Sequence, residues 1–143
     1  MTESSYTIPE KWRWFPNDRF GLFIHWGPYA VYGRGEQVMF REHLDPRKYV
    51  AKACAWNPQH YDPEVWAQIA KRAGFRYACL TTRHHDGYCL WDTDTTDYSS
   101  VDQAPQRDFV REYVEAFRAA GLRIGLYYSL IDWRIPAYFE GPE

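Results

Sequence analysis

The chain has 143 residues, 45% of them hydrophobic and 25% charged, which is the composition of one folded soluble domain and excludes a disordered chain. Its formal net charge of -2 is reached without any cluster of lysine and arginine, so the electrostatic footprint of a nucleic-acid or anionic-lipid binder is missing. No apolar run approaches the ~20 residues that a membrane-spanning helix requires.

In chain order, Phe20 to His25 is a short apolar run closed by Trp26-Gly27-Pro28, the pattern of a strand ending in a turn. The stretch from Pro28 to about Asn57 carries Gly33, Gly35, Pro46 and Pro58 and reads as a long decorated loop. Within it, Asp45 as cap and Pro46 as first helical residue predict a short helix over 46–55. Asp62-Pro63-Glu64 repeats that start, and Val65, Trp66, Ile69 and Ala70 follow at helical spacing until Gly74 stops the segment. Phe75 to Thr82 predicts a second strand that runs into the polar cluster Arg83-His84-His85-Asp86-Gly87. Asp92 to Gln106 is loop, and Phe109, Tyr113, Ala116, Phe117 and Ala120 mark an amphipathic helix ending at Gly121. Leu122 to Ser129 predicts a third strand, followed by Leu130-Ile131-Asp132-Trp133.

Strand, helix, strand, helix, strand in this order implies right-handed crossovers and a parallel α/β sheet. A doubly wound nucleotide-binding sheet would carry a glycine-rich turn after its first strand, and His25-Trp26-Gly27-Pro28 is not one. A (β/α) barrel places its active site on the loops at the C-terminal strand ends, and all three such ends here carry His, Trp, Tyr, Asp or Arg. The expected fold is therefore a partial TIM-like (β/α)8 barrel of about three βα units.

The adjacent pair His84-His85 is the sharpest local signal, since one ring can point into a barrel mouth while the other is held from behind; capping of the loop by either ring is the plainer alternative. His25 shares a strand face with Gly21 and Phe23, with Trp26 on the other, so it is either an inward polar tip or a hydrogen-bonded core histidine. A metal site would need a close third ligand such as Asp86 beside His25 and His84; no metal or cofactor is called for. Trp91 and Trp133 lie just beyond strand ends, where a ring can stack on a ligand, whereas Trp66 falls at an apolar helical position and reads as core. The aromatic share of 19% supports some rings facing a ligand such as the flat C–H face of a sugar. Glycoside hydrolysis needs two carboxyl groups, about 5 to 5.5 Å apart in a retaining enzyme, and the candidates are Glu36, Asp86, Asp92 and Asp132. Asp45 and Asp62 read as helix caps, Asp94, Asp97 and Asp102 as loop, and Glu112 and Glu115 as solvated helix faces.

Cys54, Cys79 and Cys89 are odd in number and lack metal-ligand spacing, so they read as reduced thiols filling core. Met1 to Lys11 shows no basic start followed by an apolar run, and a cytoplasmic location is expected.

Three blocks, Phe20 to Tyr29 (FGLFIHWGPY), Leu80 to Gly87 (LTTRHHDG) and Gly125 to Trp133 (GLYYSLIDW), together resemble the α-L-fucosidases of glycoside hydrolase family 29, in that family's order. Arg107-Asp108 before the last helix and Gly121-Leu122 after it are similar to that family too, so the resemblance runs from about Trp14 to Asp132. It implies a (β/α)-type barrel, often followed by a β-sandwich, that releases α-linked L-fucose with retention through an Asp nucleophile and a Glu acid/base. It further implies that His25, His84, His85 and one of Tyr127 and Tyr128 bind fucose hydroxyls, with strand alternation favouring Tyr127 as inward. Glu36 matches a fucose-pocket glutamate, while Gln37 stands where members commonly carry a tryptophan. A whole barrel takes ~250 residues and eight strands. The chain thus reads as a single N-terminal barrel fragment over 1–143, with the family's nucleophile on the following strand. Three parallel strands leave open edges, so self-association or a complementary fragment is the expected partner besides the fucosylated substrate.

Overall fold

The computed structural model describes residues 7–138. Its centre is a three-stranded, fully parallel sheet in the order β1 (Gly21–Ile24), β2 (Tyr77–Arg83), β3 (Arg123–Tyr128), each strand beside its sequence neighbour. Two helices make the crossovers: α4 (Pro63–Arg72) between β1 and β2, and α5 (Phe109–Ala119) between β2 and β3. Among the described residues the sheet is open, with β1 and β3 as edges.

The predicted strands and crossover helices are all present; β1 and β3 are each one residue shorter at both ends, and β2 starts two residues later and runs one residue further, through Arg83. Their starts are set by local chemistry. Asp62 accepts a hydrogen bond from the Val65 amide at 3.0 Å and Asp108 accepts one from Arg111 at 2.8 Å, so each crossover helix opens with a carboxylate on its otherwise unpaired amides. Gly74 and Gly121 follow the helices at φ 88° and 81°, a left-handed turn that glycine adopts without cost.

The expected loop from Pro28 to Asn57 holds more structure than its glycines and prolines suggest. Besides α3 (Pro46–Cys54), capped by Asp45 through the Arg47 amide, it contains a 3-10 turn, Pro28–Tyr32, and a one-turn helix, α2 (Val38–Arg41). A further short helix, α1 (Trp14–Asp18), precedes β1 and was not expected, because Pro16 and five residues give no periodicity to read. It is held by tertiary contacts: Trp14 packs edge-on against Tyr77, and Asp18 receives the Arg123 guanidinium at 2.9 Å.

Alternation along the strands separates two faces. Leu22, Ile24, Ala78, Leu80 and Ile124 pack under α4 and α5 with Ala67, Ala70, Tyr113 and Phe117. A second core lies beyond the C-terminal strand ends, where Tyr29, Tyr49, Trp56, Tyr61, Tyr88 and Phe109 pack under α2 and α3, with Trp26 and Trp66 touching both cores. Most of the aromatic surplus is therefore core rather than ligand platform. The other sheet face carries Phe23, Cys79 and Tyr127 and is uncovered, leaving Phe23 half exposed. The three thiols are unpaired; Cys89 is buried as expected, and Cys79 rests against Gly125, where a Cβ would lie 3.0 Å from its own. No described helix is long and apolar enough to cross a membrane.

Candidate active site

The three strands end on one side, and their ends converge on a cluster built from His25, Glu36, His84, His85 and Tyr127. His25 follows β1 on the face of Phe23, its ring 4.5 Å from that phenyl, 5.6 Å from His84 and 6.4 Å from Tyr127. His84 is buried between them, 5.9 Å from Tyr127 and 5.5 Å from Tyr29. The inward position of Tyr127 follows the strand alternation; Tyr128 points to the opposite face, over the Arg83 guanidinium at 5.4 Å.

A bulge between Thr81 and Arg83 breaks the β2 register and redirects the chain leading to the histidines. Thr81 Oγ1 accepts from the Trp26 amide at 3.2 Å and pairs with the Tyr29 hydroxyl at 2.9 Å, tying the loop after β1 to β2. Arg83 is buried and donates to the Ser129 and Ile131 carbonyls at 2.6 and 3.1 Å and to Asp132 at 2.6 Å. Ser129 Oγ lies 2.5 Å from His85 Nδ1, and the Trp133 amide donates to the His85 carbonyl at 2.7 Å. The loop after β3 thus fixes the second histidine, so the first is free of that duty.

Burial, with the neighbouring imidazoles His85 and His25, pushes the His84 pKa down to about 4, and burial also lowers that of His85. Glu36, half-buried on the loop before α2, is lowered by a hydrogen bond from its own backbone amide and by His25 and His84. Near neutral pH the site therefore holds neutral His84 and His85 and an ionised Glu36. Nδ1 of His84 is buried and has no hydrogen-bond partner among the described residues, which marks capacity to bind something else.

Several sequence candidates lie elsewhere. Asp86 is fully buried on the far side of the histidine loop, accepting from Tyr49 at 2.7 Å and from the Tyr88 amide, and burial raises its pKa to about 6. A carboxyl walled in this way cannot reach a substrate; it anchors α3. Asp132 is buried too and clamped between Arg83 and Arg134, both at less than 3 Å; burial pushes its pKa up, but the two guanidiniums outweigh that and hold it below the usual range. Asp92 is exposed in the loop after Trp91, its amide donating to Asp108, the cap of α5. Trp91 packs on Tyr128 at 6.0 Å, beside Arg111 and Val114 and away from the histidines. Trp133 does adjoin the cluster, 4.9 Å from His85 and stacked on Phe40, but it is buried and serves as a wall. Gln37 turns back, accepting from Arg41 at 3.0 Å. Arg83, Ser129 and Tyr29, which build the site from behind, were not singled out from sequence; the position of Arg83 and Ser129 at C-terminal strand ends was the available signal.

A parallel α/β fold that gathers neutral imidazoles, a carboxylate and a phenol at the carboxyl ends of its strands defines a protein with a small-ligand site there. The chain belongs to the alpha-L-fucosidase family, whose model, described as Alpha-L-fucosidase, matches residues 2–143. It is 36% identical over 143 residues to a tissue alpha-L-fucosidase of Rattus norvegicus, covering 88% of this chain and 31% of that protein. Among solved structures it is similar to alpha-L-fucosidase isoenzyme 1 from Paenibacillus thiaminolyticus, with a TM-score of 0.84 at 44% identity over 94% of this chain and 35% of that one. It is also similar to Thermotoga maritima alpha-fucosidase in complex with fucose, with a TM-score of 0.74 at 36% identity over 85% of this chain and 35% of that one. The chain therefore spans about a third of the length of these relatives.

Proposed function

We propose that this chain is the sugar-gripping part of a retaining α-L-fucosidase, with His25, Glu36, His84, His85 and Tyr127 binding the hydroxyls of an α-linked L-fucosyl residue and Trp133 forming the wall behind the histidines. The observation that carries this is the convergence of those five side chains from four chain segments onto one cluster, with His84 Nδ1 buried and without a hydrogen-bond partner among the described residues. Neutral imidazoles suit the task, since each ring can donate from one nitrogen and accept at the other, matching a hydroxyl that does both.

Hydrolysis with retention requires two carboxyl groups about 5 to 5.5 Å apart across the scissile bond. Asp86 and Asp132 are engaged in the interior, which leaves Glu36 facing the cluster. The second carboxyl then comes from another chain segment. The open edges β1 and β3 and the uncovered face of Phe23, Cys79 and Tyr127 support completion of a (β/α) barrel by further strands, from a second copy or a complementary fragment. The coverage of about a third of the relatives favours a second reading, a fucose-binding but non-catalytic piece of a longer fucosidase.

Light scattering on the purified chain, with hydrolysis of a nitrophenyl α-L-fucoside measured in each fraction, separates the two. Activity that co-elutes with a defined oligomer establishes the completed site. A stable, inactive species that still binds L-fucose, and loses that binding in His84→Ala, establishes the fragment. A species that neither cleaves nor binds fucose refutes both.

A further inference from the structure

We propose that His25, Glu36 and His84 also form a binding site for one divalent transition-metal ion of the zinc type, sharing its place with the sugar. One ligand atom from each of the three residues lies within 4.8 Å of the other two. Zinc–nitrogen and zinc–oxygen bonds run to about 2.0–2.2 Å, so adjustments of under about 1 Å in each side chain would close the three donors on an ion at their centre.

The donor chemistry selects the ion. Two imidazoles and one carboxylate suit zinc and its neighbours in the first transition row, whereas calcium and magnesium require shells of oxygen. Three protein ligands leave a coordination position open, as in catalytic rather than structural zinc sites. The three residues are also held unequally. His84 is buried against Tyr29, His85 and Tyr127, while His25 is exposed and Glu36 half-buried, so one ligand is fixed and two can close on an ion arriving from solvent. Asp86, the third ligand that the sequence alone suggested beside His25 and His84, lies in the interior and takes no part.

The coordination stands apart from the sugar reading; only the sharing of the place rests on it. The test is isothermal titration of zinc chloride into the purified, chelator-stripped chain, repeated in His25→Ala and Glu36→Gln, with His60→Ala as a control at an exposed histidine outside the cluster. Loss of a ligand should weaken binding at least as much as loss of an outer-shell partner does, about ten-fold or more. One equivalent bound, weakened by that factor in both site variants and unchanged in the control, is the expected result. Because His25 is exposed and Glu36 only half-buried, both variants are expected to fold, and circular dichroism checks this. Cobalt(II) in place of zinc should give the visible absorption of a low-coordinate ion, lost in His25→Ala. Absence of saturable binding, or binding that survives both site substitutions, overturns the proposal. Adding L-fucose resolves the shared place: a rise in apparent zinc Kd supports it, and simultaneous binding without mutual effect overturns it. Zinc binding without any fucose binding would keep the metal site and sink the sugar reading, and the reverse would do the opposite.

Discussion

The two faces of the sheet are made from alternate residues of the same strands and have opposite characters. On one, Ala78 and Leu80 are wholly buried beneath Tyr113 and Phe117 of α5. On the other, Phe23 is 51% exposed and Tyr127 stands half-buried beside two histidines. The first face is covered by the chain's own helices over β1 and β2, with only Leu126 and Tyr128 of the edge strand β3 left half exposed, and it carries most of the stability. The second is held at its N-terminal end by α1 on Tyr77 and Arg123 and at its C-terminal end by hydrogen bonds from the loop after β3, and at that latter end the binding groups gather.

The largest effect expected from breaking this contrast is on the covered face. Phe117→Ala removes a fully buried ring from the α5–sheet contact and should cost about 3–5 kcal/mol, read as a fall in the urea midpoint. A loss no larger than that of an inner-face substitution would erase the distinction. Next is Arg83→Met, at the boundary of site and core. It strands the Ser129 and Ile131 carbonyls and removes one of the two guanidiniums on Asp132, while Arg134 remains; about 3 kcal/mol is expected, with a loss of fucose binding as the His85 support loosens.

A third prediction uses neighbours that face opposite ways. The folded pKa of His84, about 4, lies below its unfolded value of ~6.5, so its contribution is present above pH 6.5 and is lost as pH falls toward 4. Asp86 is the reverse: with a folded pKa of about 6 against ~3.9 unfolded, the cost of holding its charge inside is relieved as pH falls through 6. The two slopes oppose each other between pH 6 and 4. In Asp86→Asn that opposition is gone and the His84 slope, with the lowered His85 adding in the same sense, remains: stability should drop by at least about 2 kcal/mol from pH 7 to 5 and by about 1 kcal/mol less in the unsubstituted chain, measured by urea unfolding with chelator present. Equal slopes in the two chains would mean that the Asp86 carboxyl is not held above its unfolded pKa, and a flat profile in Asp86→Asn would mean that His84 is not held neutral by burial.

What could be read from the sequence was what local chemistry decides. Asp-Pro starts located α3 and α4, glycine stops the ends of α4 and α5, and apolar spacing the body of α5, each to within a residue or two, and apolar runs located the strands. Alternation placed Tyr127 inward and His25 on the Phe23 face, because a strand's parity is set by its own residues. Side chains whose fate depends on distant partners were not legible. Asp86 looks like a site carboxylate until Tyr49, 37 residues earlier, folds over it. Trp91 and Trp133 have equivalent places after their strands, yet one joins Tyr128 on the outer side and the other walls the histidines. The bulge after Thr81 also shifts parity where the site begins, and no residue type announces it.

The smallest expected change in stability comes from Phe23→Ser, on the uncovered face. Half of this ring is already in water, so its removal forfeits only part of the roughly 1.5–3 kcal/mol that full burial of such a side chain is worth, about 1 kcal/mol or less. Its effect on association should be larger than on folding. If the uncovered face is where further strands or a second copy close the site, replacing an apolar ring by a hydroxyl at its centre should shift light scattering toward monomer while the urea midpoint, extrapolated to low protein concentration, stays near that of the unsubstituted chain. A midpoint lowered as far as in Phe117→Ala, with mass unchanged, would mean that Phe23 is buried in solution by residues of its own chain. The contrast between a stabilising face and a binding face would then rest on the histidine cluster alone.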